Sequence, residues 1–203
     1  MKSVYNNLVI NTLSGNLKDD IYNFLVDNGC PETAEHCVRV GKEARKIAAR
    51  YHADKDLAEI AGYLHDISAV FSNDVRIQVS YDLGIEVLPE EETFPMIIHQ
   101  KISKEMARDI FNIKDQEVLD AVGCHTTLKK NSTILDKVLF VADKIEWDQA
   151  GEPPYLHQIT QKLDDSLNHA AFEYIHFLWK QRENLRVIHP WLRDAYNELK
   201  DLV

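Results

Sequence analysis

An all-α fold is predicted by three features of this 203-residue chain. Glycine and proline are scarce, at 7 and 6 residues, too few for a turn-rich sandwich or barrel. Apolar residues recur three and four apart in one segment after another. No run of strict alternation competes with that period. With 45% hydrophobic and 28% charged residues the chain can bury a core, and a single domain spanning residues 1–203 is expected.

The elements follow in order. Ile21, Phe24 and Leu25 suit a short helix over Lys18 to Asp27, closed near Asn28-Gly29. Pro31 fits a first helical position, with Glu32 and Glu35 near the positive helix end. Val40, Ala44, Ile47 and Ala48 carry that helix to Tyr51. Asp54 can cap a third helix from Asp56 through His65-Asp66. Ser72-Asn73-Asp74 can cap a fourth ending at Gly84, and Pro89 to Pro95 reads as an irregular acidic loop. Helical patterns then cover Gln100 to Phe111, Asp115 to His125, and Ser132 to about Trp147, the last with a broad apolar face. Gly151-Glu152-Pro153-Pro154 is a turn, followed by a long helical region from Tyr155 to Asn184 and a last helix from Pro190 to Leu202. The aromatic residues of that long region suit a core or a subunit contact, which leaves a homodimer open.

The net charge of −10 gives no basic footprint, so a nucleic-acid polymer is not the expected partner. No segment approaches the roughly 18 apolar residues of a membrane span, and the N-terminus lacks an apolar signal core. The three cysteines form no CxxC pair, which suits a reducing compartment and a cytoplasmic protein. Cys37 and Cys124 are expected to pack as small apolar groups.

Chemistry concentrates in six residues. His65-Asp66 ends a helix whose preceding residues are apolar, where neither side chain is cheap to bury unless paired or bound to a metal. His36 and His99 sit at helix starts, His125 ends the segment Val118 to Cys124, and Asp143 interrupts the apolar stretch Val138 to Ile145. Singly, each can be a cap, a dipole partner or, for Asp143, a carboxylate paired with Lys144 or an arginine elsewhere. Together, imidazoles and carboxylates without thiolates suit Fe, Mn, Zn, Ni or Co. Their number fits two metals with a shared aspartate. His52, His157, His169, His176 and His189 have no motif around them and are expected to be structural or surface groups.

The order His36, His65-Asp66, then Asp143 within Val141-Ala142-Asp143 resembles the H…HD…D signature of the HD-domain metal-dependent phosphohydrolases. With Ile98-His99, Cys124-His125-Thr126-Thr127 and Val141 to Glu146, it is similar to the HD-type symmetrical bis(5′-nucleosyl)-tetraphosphatases. The resemblance implies an all-α HD-domain helical bundle with a metal-binding core at about residues 32–147 and C-terminal helices over 155–203. It implies two divalent ions, Fe first, with Mn, Co, Ni or Zn as alternatives. His36, His65, Asp66 and Asp143 would hold one ion; His99 and His125 would help hold the second, with Asp66 bridging and Asp66 and His65 counted as catalytic. The implied reaction splits diadenosine tetraphosphate into two ADP. Two cations about 3.5–4 Å apart would neutralise phosphate oxygens and activate a water for in-line attack, so no side-chain nucleophile is needed.

The chain departs from the family where a lysine commonly follows HD and where Pro and Arg commonly follow the VAD segment: it reads Ile67-Ser68-Ala69-Val70 and Trp147-Asp148-Gln149. Thr126, Lys129, Lys144 and Trp147 are therefore the candidates for substrate contact. Against that, Lys129 and Lys130 suit a solvated surface, and Trp147 suits packing. Two further readings stay open: an HD phosphohydrolase acting on another nucleotide or phosphoester, and a metal-binding regulatory domain with little turnover.

Overall fold

The computed structural model describes residues 2–147 and 151–203, and among these the secondary structure is helical without a strand. After a 3-10 turn at Ser3–Tyr5, α1 (Leu17–Asp27) begins at Asn16, whose side chain accepts from the Asp19 amide. α2 (Pro31–Arg50) and α3 (Lys55–Leu64) follow, the latter capped by Asp54. These two pack along their length, and glycine permits it. A Cβ on Gly62 would stand 2.4 Å from Gly41 Cα, so the backbones touch where any side chain would part them.

A 3-10 turn at Ile67–Val70 leads to α4 (Arg76–Leu83), α5 (Pro89–Thr93), α6 (His99–Asp109) and α7 (Gln116–Val122), which Asp115 caps. α8 (Ile134–Ile145) starts in a reciprocal capping box between Thr133 and Asp136. It packs against α2, α3, α7 and α10 (Leu167–Lys180), so most of its surface beyond the first turn is covered. Val138, Leu139, Phe140 and Val141 are buried there, each worth roughly 1.5–3 kcal/mol. α9 (Leu156–Asp165), a 3-10 turn at Arg182–Asn184 and α11 (Pro190–Lys200) complete the described chain. No described helix is long and apolar enough to cross a membrane.

Three sequence expectations are corrected. The acidic segment at Pro89 is a short helix, not a loop. Pro89 occupies its first turn, and the Glu91 side chain reaches back to the Leu88 amide at 2.9 Å. The long region from Tyr155 is two helices, because Ser166 is extended (φ −169°, ψ 163°) and its hydroxyl caps the second by accepting from the His169 amide. Ser72-Asn73-Asp74 do not cap α4: the cap position is Val75, and Asn73 instead accepts from the Arg76 guanidinium at 2.7 Å.

Glu91 also ties the C-terminal part to the rest. It is fully buried, 2.8 Å from Lys101 Nζ and 3.3 Å from His189 Nε2, the residue that caps α11. Burial alone would raise its carboxyl, but these partners bring it below the usual 4.5. A carboxyl lowered in the folded state contributes stability above the unfolded value and loses it as pH falls. Glu91→Gln is expected to cost about 3 kcal/mol at pH 7, by leaving the Lys101 ammonium without its carboxylate. In urea titrations across pH the variant should lose less stability than wild type below about pH 4.5; parallel curves would exclude this role.

Candidate metal centre

Helix ends build the site. His65 follows α3, and its Nδ1–H can donate to the Gly62 carbonyl at 2.8 Å. His125 does the same to Val122 at 2.8 Å just beyond α7, and His99, opening α6, to Met96 at 2.5 Å. Carbonyls in such end turns need donors, and each imidazole answers one three residues back. With Nδ1 protonated, Nε2 is left as a lone pair. The chain thus sets three rings in the same tautomer by local hydrogen bonding.

Those lone pairs converge. His36 Nε2 lies 3.2 Å from His65 Nε2 and 3.2 Å from Asp143 Oδ1. His99 Nε2 lies 2.9 Å from His125 Nε2. Asp66 stands between the two pairs, with Oδ2 3.4 Å from His65 Nε2 and Oδ1 3.0 Å from His99 and 3.4 Å from His125. Oδ1 is buried without a hydrogen bond despite these approaches. Lone pairs facing one another at such distances repel unless a cation lies among them. Edges of about 3 Å are what metal–nitrogen bonds of about 2.1 Å require. The residues therefore fit the group: His36, His65 and Asp143 form one potential ligand set, and His65, Asp66 and His125 an overlapping second.

The electrostatics agree. Burial opposes ionisation of Asp66 and Asp143, yet both carboxyls sit well below their usual range. His65 and His99 outweigh burial at Asp66; Lys144, then His36 and His65, do so at Asp143. Burial pushes His125 down to about 4, leaving a neutral ring at neutral pH. At His65 burial is outweighed by Asp66, with Cys37 and Asp143, so in the absence of a metal the ring favours a second proton at Nε2, the position an incoming cation would take instead. Burial keeps the Cys37 thiol neutral, 3.9 Å from His65 Nδ1.

The four substrate-contact candidates have different fates. Thr126 Oγ1 lies within 3.1–3.2 Å of His99 and His125 Nε2, at the edge of the cluster. Lys144 is buried: its ammonium donates to Asp143 Oδ2 at 2.5 Å and to the His125 carbonyl at 3.3 Å, joining two ligand-bearing segments. Lys129 is half-buried against Asp136 at 3.5 Å rather than solvated, and faces another cavity, shared with Lys101 and Lys104. Trp147 packs edge-on to Tyr155, ring centroids 6.0 Å apart. Residues 148–150, part of the segment that departs from the family pattern, lie outside the described residues.

Gln100 and Arg76 were not found from sequence. Gln100 is buried beside His99 and accepts from the Thr126 and Thr127 amides at 3.0 and 3.3 Å, fixing the loop after His125. Its signal is a polar residue in the apolar stripe of α6. Arg76 is anchored to the carbonyls of Phe71 and Met96, and its charge reaches Asp66. Nothing in its neighbourhood in sequence marks it.

The sequence profile of the HD domain family matches residues 33–148, a span that takes in all six converging side chains. The chain belongs to the HD domain family. Members of that family bind divalent metals, in keeping with the donor set here. An uncharacterised protein of the pepC 5′ region of Lactococcus lactis subsp. cremoris is 44% identical over 147 residues, 72% of this chain and 74% of that protein. The symmetrical bis(5′-nucleosyl)-tetraphosphatase of Bacillus subtilis is 28% identical over 142 residues, 69% of this chain and 74% of that enzyme. Among solved structures, a predicted HD superfamily hydrolase involved in NAD metabolism from Clostridium acetobutylicum superposes with a TM-score of 0.83 at 25% identity, covering 91% of this chain and 97% of that one. This HD domain thus has the fold of an HD-superfamily hydrolase.

Proposed function

We propose that this HD domain hydrolyses a phosphoanhydride of a nucleotide, with a dinucleoside tetraphosphate as first substrate and two nucleoside diphosphates as products. The observation that carries the reading is the placing of two imidazole pairs, 3.2 and 2.9 Å apart, on either side of one aspartate that offers an oxygen to each. The resemblance to the Bacillus subtilis tetraphosphatase supports the choice of substrate.

His36, His65, Asp66 and Asp143 would hold one divalent ion and His99, His125 and Asp66 the second. Bound there, such ions supply positive charge to phosphate oxygens and lower the pKa of a water toward neutrality. The chain's own part is to fix the geometry. Backbone carbonyls hold three rings in the ligating tautomer, Lys144 holds Asp143 against the His125 loop, and the Thr126 hydroxyl, now on the His99 and His125 ring nitrogens, would turn to a phosphate oxygen once those nitrogens ligate. Asp66 and Asp143 stay ionised across the neutral range. No side-chain nucleophile is called on.

The test is anaerobic incubation of the protein with Fe²⁺, Mn²⁺ or Co²⁺ and either diadenosine tetraphosphate or a panel of smaller nucleotides. ADP as sole product is expected. Phosphate release from the smaller nucleotides alone would replace the substrate. Stoichiometric metal without any turnover would overturn the reading.

A further inference from the structure

Beside the cluster lies an apolar cavity of about 180 Å³. Phe94 and Ile97, in the segment before α6, form one wall, and Tyr174 and Leu178 of α10 form another. Thr126 closes one end, with its hydroxyl on the His99 and His125 ring nitrogens. The cavity and the second half of the candidate metal centre therefore share a residue.

Arg186 lines this cavity too, its guanidinium carbon 5.1 Å from the centroid of the Phe94 ring. Among the described residues it has no carboxylate or carbonyl acceptor. Every other arginine has one: Arg39 on Glu146, Arg45 on Asp56 and Glu59, Arg50 on Asp164, Arg76 on Phe71, Arg108 on Glu105, Arg182 on Glu183 and Arg193 on Asp194. In a chain with ten more acidic than basic side chains, one arginine kept apart from every acidic side chain among the described residues and placed over an aromatic ring is suited to receive an anion. The volume is below the roughly 300 Å³ at which drug-sized pockets begin, so it takes one ring system and not a whole dinucleotide. Apolar walls with an aromatic face suit a base; a cation at the mouth suits the phosphate that follows its sugar.

We infer that this cavity seats one nucleobase of the substrate, with Phe94 against the base and Arg186 on the phosphate nearest the sugar. The inference rests on the proposed nucleotide reading and deepens it: the missing basic positions after HD and after VAD are answered by a residue from the turn before α11. The polyphosphate then runs from Arg186 past Thr126 onto the cluster, and its other half lies outside the cavity.

Calorimetry on the metal-loaded full chain tests this with three probes: adenosine, ADP and inorganic tripolyphosphate. Leu178→Trp, which fills the cavity, and Phe94→Ala, which removes the stacking face, are expected to weaken ADP and adenosine by about tenfold or more. Tripolyphosphate should move less than twofold. Arg186→Gln should weaken ADP by about tenfold and leave adenosine unchanged. Metal content and helical circular dichroism serve as the check that each variant is folded and loaded. If Leu178→Trp and Phe94→Ala both keep ADP affinity within twofold while wild type splits the tetraphosphate, the base sits elsewhere and the functional reading survives. If loaded wild type binds neither ADP nor tripolyphosphate, the functional reading fails and the inference goes with it.

Discussion

Asp66→Ala is expected to lower turnover by more than about 10³-fold and to reduce bound metal from two ions to at most one per chain. The size follows from the placing of the carboxylate. One oxygen faces His65 and the other faces His99 and His125, so a single truncation takes a ligand from both halves. It also takes away the largest contribution that opposes burial at His65, where Asp143 and Cys37 remain to raise the ring's ionisation. The helices should survive, because Asp66 lies in the turn after α3 and its side chain caps nothing. Elemental analysis and circular dichroism on the same preparation separate loss of the centre from loss of the fold. Two retained ions with full turnover would remove Asp66 from the centre.

Gly62→Ala should damage fold and site together. The added methyl would lie 2.4 Å from Gly41 Cα and 2.6 Å from Gly41 N, and it meets backbone, which cannot swing aside as a flexible side chain can. α2 and α3 must separate, at a cost of about 2–4 kcal/mol, read as a lower urea midpoint. The separation also carries His36 on α2 away from His65 after α3, although neither residue is changed. Gly62 further supplies the carbonyl that holds His65 Nδ1. Reduced metal content at temperatures where the variant remains folded is therefore expected as well. An unchanged midpoint would show that the helices do not need this close approach.

Much of this fold was legible from local signals. Asn16, Asp54, Asp115 and Thr133 accept from amides of the first turns, and Pro31 begins α2, all by interactions within a few residues. The misses share a cause. The acidic run at Pro89 reads as a loop because Glu91 becomes worth burying only with Lys101 and His189 beside it. The break at Ser166 follows no glycine or proline; it is set by α9 folding back onto α10. Lys129 reads as surface until Asp136, seven residues on, turns it inward.

The site divides in the same way. The residue types, their order and their position at helix ends were present in the sequence, because ring tautomer and helix termination are decided by neighbours three residues away. Whether six such groups meet was not, since His36 and Asp143 come within 3.2 Å across 107 residues. The approach of α2 to α3, the link from Lys144 to Asp143 and His125, and the placing of Arg186 over Phe94 are likewise products of packing. A sequence specifies short-range hydrogen bonds directly, but distances between remote side chains exist only once burial has fixed how the helices lie against one another.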